Sequence, residues 1–465
     1  MPYPESLLSL LGHRRPLLLQ GPMGPFFARL ATFLEAHGQE VHKVNFNGGD
    51  ELYFRRPRAV PYRGRPAEWP QWLESHIRTH GIDAVVLFGQ TRPLHIAARK
   101  VAAELGLPVY VFEEGYLRPN YVTLEVGGVN GDSAIPKDPA FYRSRPAHPV
   151  PTPTPTRQRF SLMMGYAIAY GVAANLLHWR YPHHEYHRSL NLFTESLKWL
   201  RGGWRKVFYA WKERHALARL TAPDRSRQWF LLPLQVHNDS QIVHHSPYPS
   251  VEAMIDEVMA SFAQHADPRD WLVIKHHPMD RAYRDYGSFI KARADAHGIG
   301  RRVMYIHDLH LPTLLRHARG VVTVNSTTGI QALSHGTPVL TLGECFYAIP
   351  GLVSQKPLRS FWRNPGRVDT ALFKRFREYL IRHTQLNASF YADAPAFDIA
   401  HVRPEPGSRP QDDVSALVSQ PGLLVDATQA RRALSPVQGQ LLEPLEPPAA
   451  ASGEIWSQTQ PMRMP

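Results

Sequence analysis

The chain has 465 residues and a hydrophobic fraction of 43%, enough for about two domains of roughly 100–200 residues with sizeable cores. Its formal net charge is +13, which calls for an anionic partner. No zinc-finger spacing, basic zipper or RRM-like aromatic motif accompanies that charge, so no nucleic acid partner is expected. The lone cysteine, Cys345, excludes an internal disulfide framework and a thiolate-rich metal site. Met1 to Pro16 shows no charged-then-apolar signal pattern, and a cytoplasmic location is expected.

Taken in chain order, Leu17 to Leu19 form a short apolar run that Gly21, Pro22, Gly24 and Pro25 break. Phe26, Leu30, Phe33 and Leu34 then recur at helical spacing, with Gly38 as a stop. Val41 to Phe46 and Ile82 to Phe88 read as strands. A helix follows through Ala97 to Leu105, then a strand over Leu107 to Phe112. Strands alternating with helices predict a parallel sheet covered on both faces.

Pro146 to Pro155 is a Pro/Thr-rich linker. Arg157 to Leu220 reads as helical, aromatic and basic. Ser161 to Leu177 carries no charge but is short for a membrane span, so a buried helix is predicted. Trp179, Arg180, Lys198, Trp199, Arg201, Trp204, Arg205, Lys206 and Trp211 mix aromatic and basic character. That suits an anionic lipid surface or a helix packed by its aromatic side.

A second alternating run begins near Gln228. Strands are predicted over Trp229 to Leu234, Leu272 to Lys275, Gly320 to Val324 and Pro338 to Leu342. Helices are predicted over Val251 to Ala263, Leu311 to Leu315, Thr328 to His335 and Asp369 to Thr384. Pro404 to Pro465 is Pro/Gln/Ala-rich and predicts disorder. The resulting division is 1–145, 146–220, 221–365, 366–402 and 403–465. The fold class is α/β and GT-B-like. Two Rossmann-like domains face a cleft, with a helical insertion and a disordered C-terminal tail.

Ligands of open α/β sheets bind at the carboxyl ends of the strands, and the polar motifs fall there. Glu113 and Glu114 follow the strand ending at Phe112, ahead of Gly115 and Arg118. Such carboxylates serve as nucleophile or acid/base in sugar transfer, or form a solvated turn paired with Arg118. Lys275, His277 and Pro278 end another strand. A lysine and an imidazole there can hold a phosphate, with the imidazole able to donate a proton to a leaving group, or His277 is a turn histidine without a ligand. Asn325 to Gly329 precede a helix, where Ser326 and Thr327 cap it or meet a phosphate. Gln235 to Gln241, with His237, Asn238, Asp239 and Ser240, offer polar groups for a base, a ribose or a sugar, or form an ordinary polar loop. Gln20, Gly21 and Gly24, with Asn47 and Asp50 after the next strand, line a cleft or make tight turns. The pattern is not GxGxxG, so a Rossmann dinucleotide fingerprint is absent. His183 and His187 have i, i+4 spacing, but no third ligand and no HExxH accompany them or His184, His244 and His245, so no metal is predicted.

Seven stretches together carry a family resemblance. They are LLLQGPMGPFFARLA from Leu17, VNFNGGD at Val44 to Asp50, VFEEGYLRPNYVTLE at Val111 to Glu125 and RYPHHEYHRSLN at Arg180 to Asn191. PLQVHNDSQI at Pro233 to Ile242, IKHHP at Ile274 to Pro278 and VNSTTGIQALSHGTPVLTLG at Val324 to Gly343 complete the set. The sequence resembles the KpsS/LipB-type capsule polysaccharide proteins, related to the β-Kdo transferase modules of KpsC. The resemblance implies a retaining transferase that uses CMP-Kdo as donor substrate, without a cofactor. It implies transfer of the first Kdo to lyso-phosphatidylglycerol, an anionic lipid acceptor, to start the linker for capsule export. The protein would then lie peripherally on the inner face of the inner membrane, within a capsule assembly and export complex.

By motif, His277 and Pro278 would face the CMP phosphate, with Lys275, Ser326, Thr327, Gln235 and Glu344 on the donor side. Glu114 would be the first catalytic carboxylate and Glu113 the second. Gln20, Gly21, Gly24, Asn47, Asp50 and Arg118 would line the acceptor side. Transfer of another CMP-activated sugar acid, or a non-catalytic role in capsule export, remain the alternatives.

Overall fold

The computed structural model describes residues 3–146, 149–156, 159–185, 192–237, 242, 245–392 and 397. His187, Asn238, Asp239, Ser240, His244 and the tail from Pro404 lie outside them.

The strands are β1 (Pro16–Leu18), β2 (His42–Asn45), β3 (Ala59–Pro61), β4 (Ala84–Phe88), β5 (Val109–Glu114), β6 (Val122–Val126), β7 (Trp229–Pro233), β8 (Trp271–Lys275), β9 (Val303–Ile306), β10 (Gly320–Thr323), β11 (Val339–Thr341) and β12 (Gln385–Leu386). The first sheet has the order β12-β6-β5-β4-β1-β2-β3, and the second β11-β10-β7-β8-β9. The second sheet is parallel throughout. The first is parallel from β5 to β3, then gains two antiparallel strands, β6 and β12. Both sheets belong to one compact unit, in the α/β, GT-B-like class that the alternating pattern predicts.

The helices of the first half are α1 (Glu5–Leu11), α2 (Phe26–Ala36), α3 (Gly48–Tyr53), α4 (Trp69–His80), α5 (Pro93–Glu104) and α6 (Pro139–Arg143). The insertion supplies α7 (Phe160–Leu176), α8 (Leu192–Lys212) and α9 (Ala216–Thr221). The second half adds α10 (Val251–His265), α11 (Gly287–Ala296), α12 (Leu311–His317), α13 (Thr328–Ser334), α14 (Leu358–Phe361) and α15 (Thr370–His383).

Helix α10 shows how the sequence builds these layers. Ser250 Oγ accepts from Ala253 N at 3.1 Å and caps the helix, which satisfies one of its orphan N–H groups. Met254, Ile255, Val258, Met259 and Phe262 then bury one face against the second sheet, each contributing about 1.5–3 kcal/mol.

Two expectations need correction. Strand β5 continues through Glu114 instead of stopping at Phe112, because β6 pairs beside it, Glu113 with Thr123 and Glu114 with Val122. The uncharged helix α7 is not buried all round: Ile168, Val172 and Leu176 are exposed. It docks through Tyr170 and Ala174, which are buried. Gly48 and Gly49 of α3 make that docking possible. A Cβ on Gly48 would lie 2.3 Å from the Ala173 carbonyl oxygen, and one on Gly49 would lie 2.6 Å from the Tyr170 ring.

Candidate functional site

The carboxyl ends of the first sheet form a polar cluster. Gln20 leaves β1, Asn47 and Asp50 follow β2, Arg92 follows β4, and Glu113 and Glu114 end β5. Asn47 caps α3, its Oδ1 accepting from Asp50 N at 3.0 Å. This turn points Asp50 back at the sheet, where its Oδ2 accepts from Phe46 N at 3.0 Å. Tyr170 of α7 reaches in from above. Its hydroxyl donates to Asp50 Oδ1 at 2.9 Å and accepts from Gln20 Nε2 at 2.8 Å and Asn47 Nδ2 at 2.7 Å. His184 Nε2 lies 3.4 Å from Asn47 Nδ2. Gln20, Asn47 and Asp50 are therefore buried members of a network closed by the insertion. Gly21 sits against the Phe27 ring, and Gly24, at φ +121°, against Tyr166.

Arg92 stands at the N-terminus of α5 with its guanidinium 5.4 Å from the centre of the Phe88 ring. Asp50, Glu113, Tyr170 and Tyr391 surround it electrostatically. Sequence reading missed it, although Arg92-Pro93 at a strand end marks a helix start. Glu113 and Glu114 point to opposite faces of the sheet, as a strand requires. Burial pushes the Glu113 carboxyl up to about 7, Glu114 adds to this, and a backbone hydrogen bond from Glu114, with Arg118 and Arg92, opposes it. Glu114 opens instead on a recess of about 70 Å³, walled by Arg118, Pro119, Tyr121, Val122 and the segment Ser389 to Tyr391. Arg118 is exposed, and its Nε donates to Gly115 O at 3.3 Å.

Strand ends of the second sheet carry histidines. Lys275 is buried, and its Nζ donates to His307 O at 2.7 Å. His276 is buried, with its pKa lowered to about 4 chiefly by burial, and its Nδ1 lies 2.6 Å from Tyr305 Oη. His277 is half-buried, and its Nδ1 accepts from Met279 N at 3.2 Å. Pro278 is exposed and opens a short 3₁₀ turn that brings Asp280 back to His237, which bonds it through N and Nδ1. Gln235 Nε2 donates to Asn325 Oδ1 at 3.1 Å. Ser326 Oγ accepts from Thr328 N at 3.2 Å, and Thr327 precedes α13 without capping it by its side chain. Glu344 is exposed, its N–H bonded to His245 O at 2.9 Å. The insertion reaches this half too. Glu213, just after α8, accepts from His307 N at 2.9 Å and lies 2.6 Å from its Nδ1. The Tyr209 ring stacks on His307 with centroids 3.4 Å apart. Neither contact was legible in the sequence, since α8 gave no sign of where it docks.

Loops that follow the strands of the two sheets touch. Tyr116, two residues past Glu114, stacks on Phe346, two residues past Glu344, with centroids 3.9 Å apart. Its hydroxyl is held by Glu125 Oε1 at 2.6 Å and receives Asn130 N at 2.7 Å. His245 Nε2 lies 4.0 Å from Asp132 Oδ1. The loop after β5 thus lies against the loop after β11.

Acidic groups at the strand ends of one sheet, and imidazole and hydroxyl groups at those of the other, lie where open α/β sheets bind their ligands. The chain belongs to the capsule polysaccharide biosynthesis protein family, whose model matches residues 83–391, from β4 through β12. It is 43% identical over 391 residues to the capsule polysaccharide export protein KpsS of Escherichia coli, covering 83% of this chain and 99% of that one. It is 39% identical over 383 residues to the capsule polysaccharide modification protein LipB of Neisseria meningitidis serogroup B, covering 81% and 91%. Among solved structures, the KpsC β-Kdo 2,7 transferase of Thermosulfurimonas dismutans aligns at 15% identity and a TM-score of 0.38, over 78% of this chain and 89% of that one.

Proposed function

We propose that this protein is a retaining glycosyltransferase that moves Kdo from CMP-Kdo to lyso-phosphatidylglycerol, building the lipid-linked start of the capsule linker. The observation that supports the reading is the Tyr116–Phe346 stack, which joins the loop after the Glu113-Glu114 strand end to the loop after β11. Glu114, opening on its recess beside Arg118, attacks the anomeric carbon as CMP departs with the bonding electrons. The acceptor hydroxyl then displaces the carboxylate, which gives retention. The acceptor proton passes to the released CMP phosphate or to water, and Glu113, on the opposite face with its pKa pushed up to about 7 by burial, is the second carboxylate candidate. Arg92 faces the sugar's carboxylate. His277 and Pro278, with Ser326 and Thr327, meet the CMP phosphate, while buried Lys275 contributes positive charge behind them. Gln235 and Glu344 border the nucleotide. The donor's single phosphate lets histidine and hydroxyl groups replace a metal. An anionic acceptor suits a chain of net charge +13 and a site on the inner face of the inner membrane, with capsule export machinery as partner.

The test is incubation of the full chain with CMP-Kdo and lyso-phosphatidylglycerol, read by mass spectrometry. One added Kdo on the lipid is the expected product. No product, under conditions where a known Kdo transferase works, would overturn the reading in favour of a non-catalytic export role. Product from a different CMP-activated acid alone would overturn the donor assignment.

A further inference from the structure

Helix α8 has two unlike sides. Along one, Lys198, Arg201, Arg205, Tyr209 and then Glu213 hold the second half of the chain. Arg201 donates to Ala282 O and Arg205 to Arg281 O at 2.9 Å. Tyr209 Oη donates to Asp285 Oδ2 at 3.1 Å. Along the other side, Leu200, Trp204, Val207 and Trp211 are exposed by 71%, 66%, 72% and 64%, with Phe208 beside them. Their i, i+4, i+7, i+11 spacing makes one continuous stripe, and Trp204 and Phe208 stack at 5.3 Å. A monomer in water gains nothing from such a stripe, and exposed apolar bands of this kind mark contact surfaces.

The charges around the stripe choose the occupant. From Leu200 to Lys212 there is no carboxylate, and of the four basic residues Arg201 and Arg205 face the fold while Lys206 and Lys212 remain for the stripe. Lys212 Nζ lies 6.0 Å from the Phe208 ring centre and the Arg214 guanidinium 5.2 Å from that of Trp211. Tryptophans interleaved with cations match the headgroup boundary of an anionic bilayer, where apolar rings insert and cations meet lipid phosphates. A basic, uncharged-by-acid surface repels a second copy of itself. No helix among the described residues is long and apolar enough to cross a membrane, so the helix lies along the interface. We infer that α8 docks the protein on an anionic phospholipid surface through Leu200, Trp204, Val207, Phe208 and Trp211. The same helix presents Tyr209 and Glu213 to His307 on its inner side, so the docked surface adjoins the second sheet's strand ends. This inference deepens the transferase reading only in saying where the lipid lies; the docking itself needs neither donor nor acceptor.

The experiment is co-sedimentation of the full chain with vesicles of phosphatidylcholine and phosphatidylglycerol in equal parts, and with phosphatidylcholine alone, without CMP-Kdo. The full chain is expected to bind the anionic vesicles in preference to the neutral ones. Trp204→Ser/Trp211→Ser should weaken that binding at least about tenfold while leaving the melting temperature unchanged, because neither ring packs on the fold. Lys206→Glu/Lys212→Glu should abolish the preference for anionic vesicles. Trp fluorescence quenched by brominated lipid should fall in the first variant, a readout that does not depend on yield. Equal binding by native chain and Trp variant would overturn the inference. So would a Trp variant that loses self-association instead of vesicle binding, since the stripe would then face a second copy. Failure of Kdo transfer with vesicle binding intact would count against the transferase reading alone.

Discussion

The two strand-end clusters are built differently, yet both depend on the insertion between the sheets. In the first, Tyr170 of α7 closes a buried, fully bonded network around Asp50, Gln20 and Asn47. In the second, Tyr209 of α8 and Glu213 just after it grip a single imidazole, His307, whose carbonyl in turn holds Lys275. The first helix seals; the second braces. The comparison teaches that a segment whose composition reads as linker and surface supplies side chains to both ends of the site. It also explains why α7 needs no charge and α8 needs many. Helix α7 meets the fold by glycine-mediated close approach, whereas α8 meets it through arginine, tyrosine and glutamate contacts on a polar surface.

Removing the close approach should do the most damage. Gly48→Ala places a Cβ 2.3 Å from a backbone oxygen of α7, a clash that no side-chain rotation relieves. A loss of about 3 kcal/mol is expected, read as a fall in the urea midpoint. An unchanged midpoint would show that α7 is not held there.

The next effect is a pH dependence at the boundary between the halves. Glu125, which holds Tyr116 against Phe346, is 3% exposed. Burial lifts its carboxyl from 4.5 to about 7. The native state keeps a proton that the unfolded state has released, so this group's contribution to stability falls as pH rises from 4.5 to about 7. Glu125→Gln should remove that fall. Relative to the native chain, the variant gains up to about 3 kcal/mol between about pH 5 and 8, measured by urea unfolding across pH. A constant difference across pH would place the proton elsewhere. Glu113→Gln should act in the same direction with smaller amplitude, since Glu113 is only half-buried.

Seal and brace can be compared directly. Glu213→Ala leaves the His307 N–H without its acceptor and should cost about 2 kcal/mol. Tyr170→Phe removes one hydroxyl from a network whose other members still bond one another, and should cost about 1 kcal/mol. Thermal unfolding of both variants measures the difference, and the reverse order would invert the comparison.

Much of the fold was readable because parallel strands buried on both faces are short apolar runs, as at Leu17 to Leu19 and Ile82 to Phe88. Strands β6 and β12 were not. Gln385 pairs with Thr123 across most of the chain, and no local pattern encodes that pairing. Val303 to Ile306 escaped notice because β9 is an edge strand of only four residues. In the site, residues in Gly-rich or Pro-marked turns stood out, while Tyr170 and Glu213 did not. Each lies on or beside a helix in the insertion, and each acts on a strand end more than 90 residues away in sequence. Arg92 carried a signal in the proline after it.

The proposed transfer requires the two clusters to act on one substrate from opposite sides, the second gripping the nucleotide and the first attacking the sugar. Calorimetric CMP binding and Kdo transfer, measured side by side for Glu114→Gln and His277→Ala, test it most directly. Glu114→Gln should bind CMP as the native chain does and lose transfer by about 100-fold or more, whereas His277→Ala should lose both. Glu114→Gln with native transfer, or His277→Ala with native CMP affinity, would contradict it.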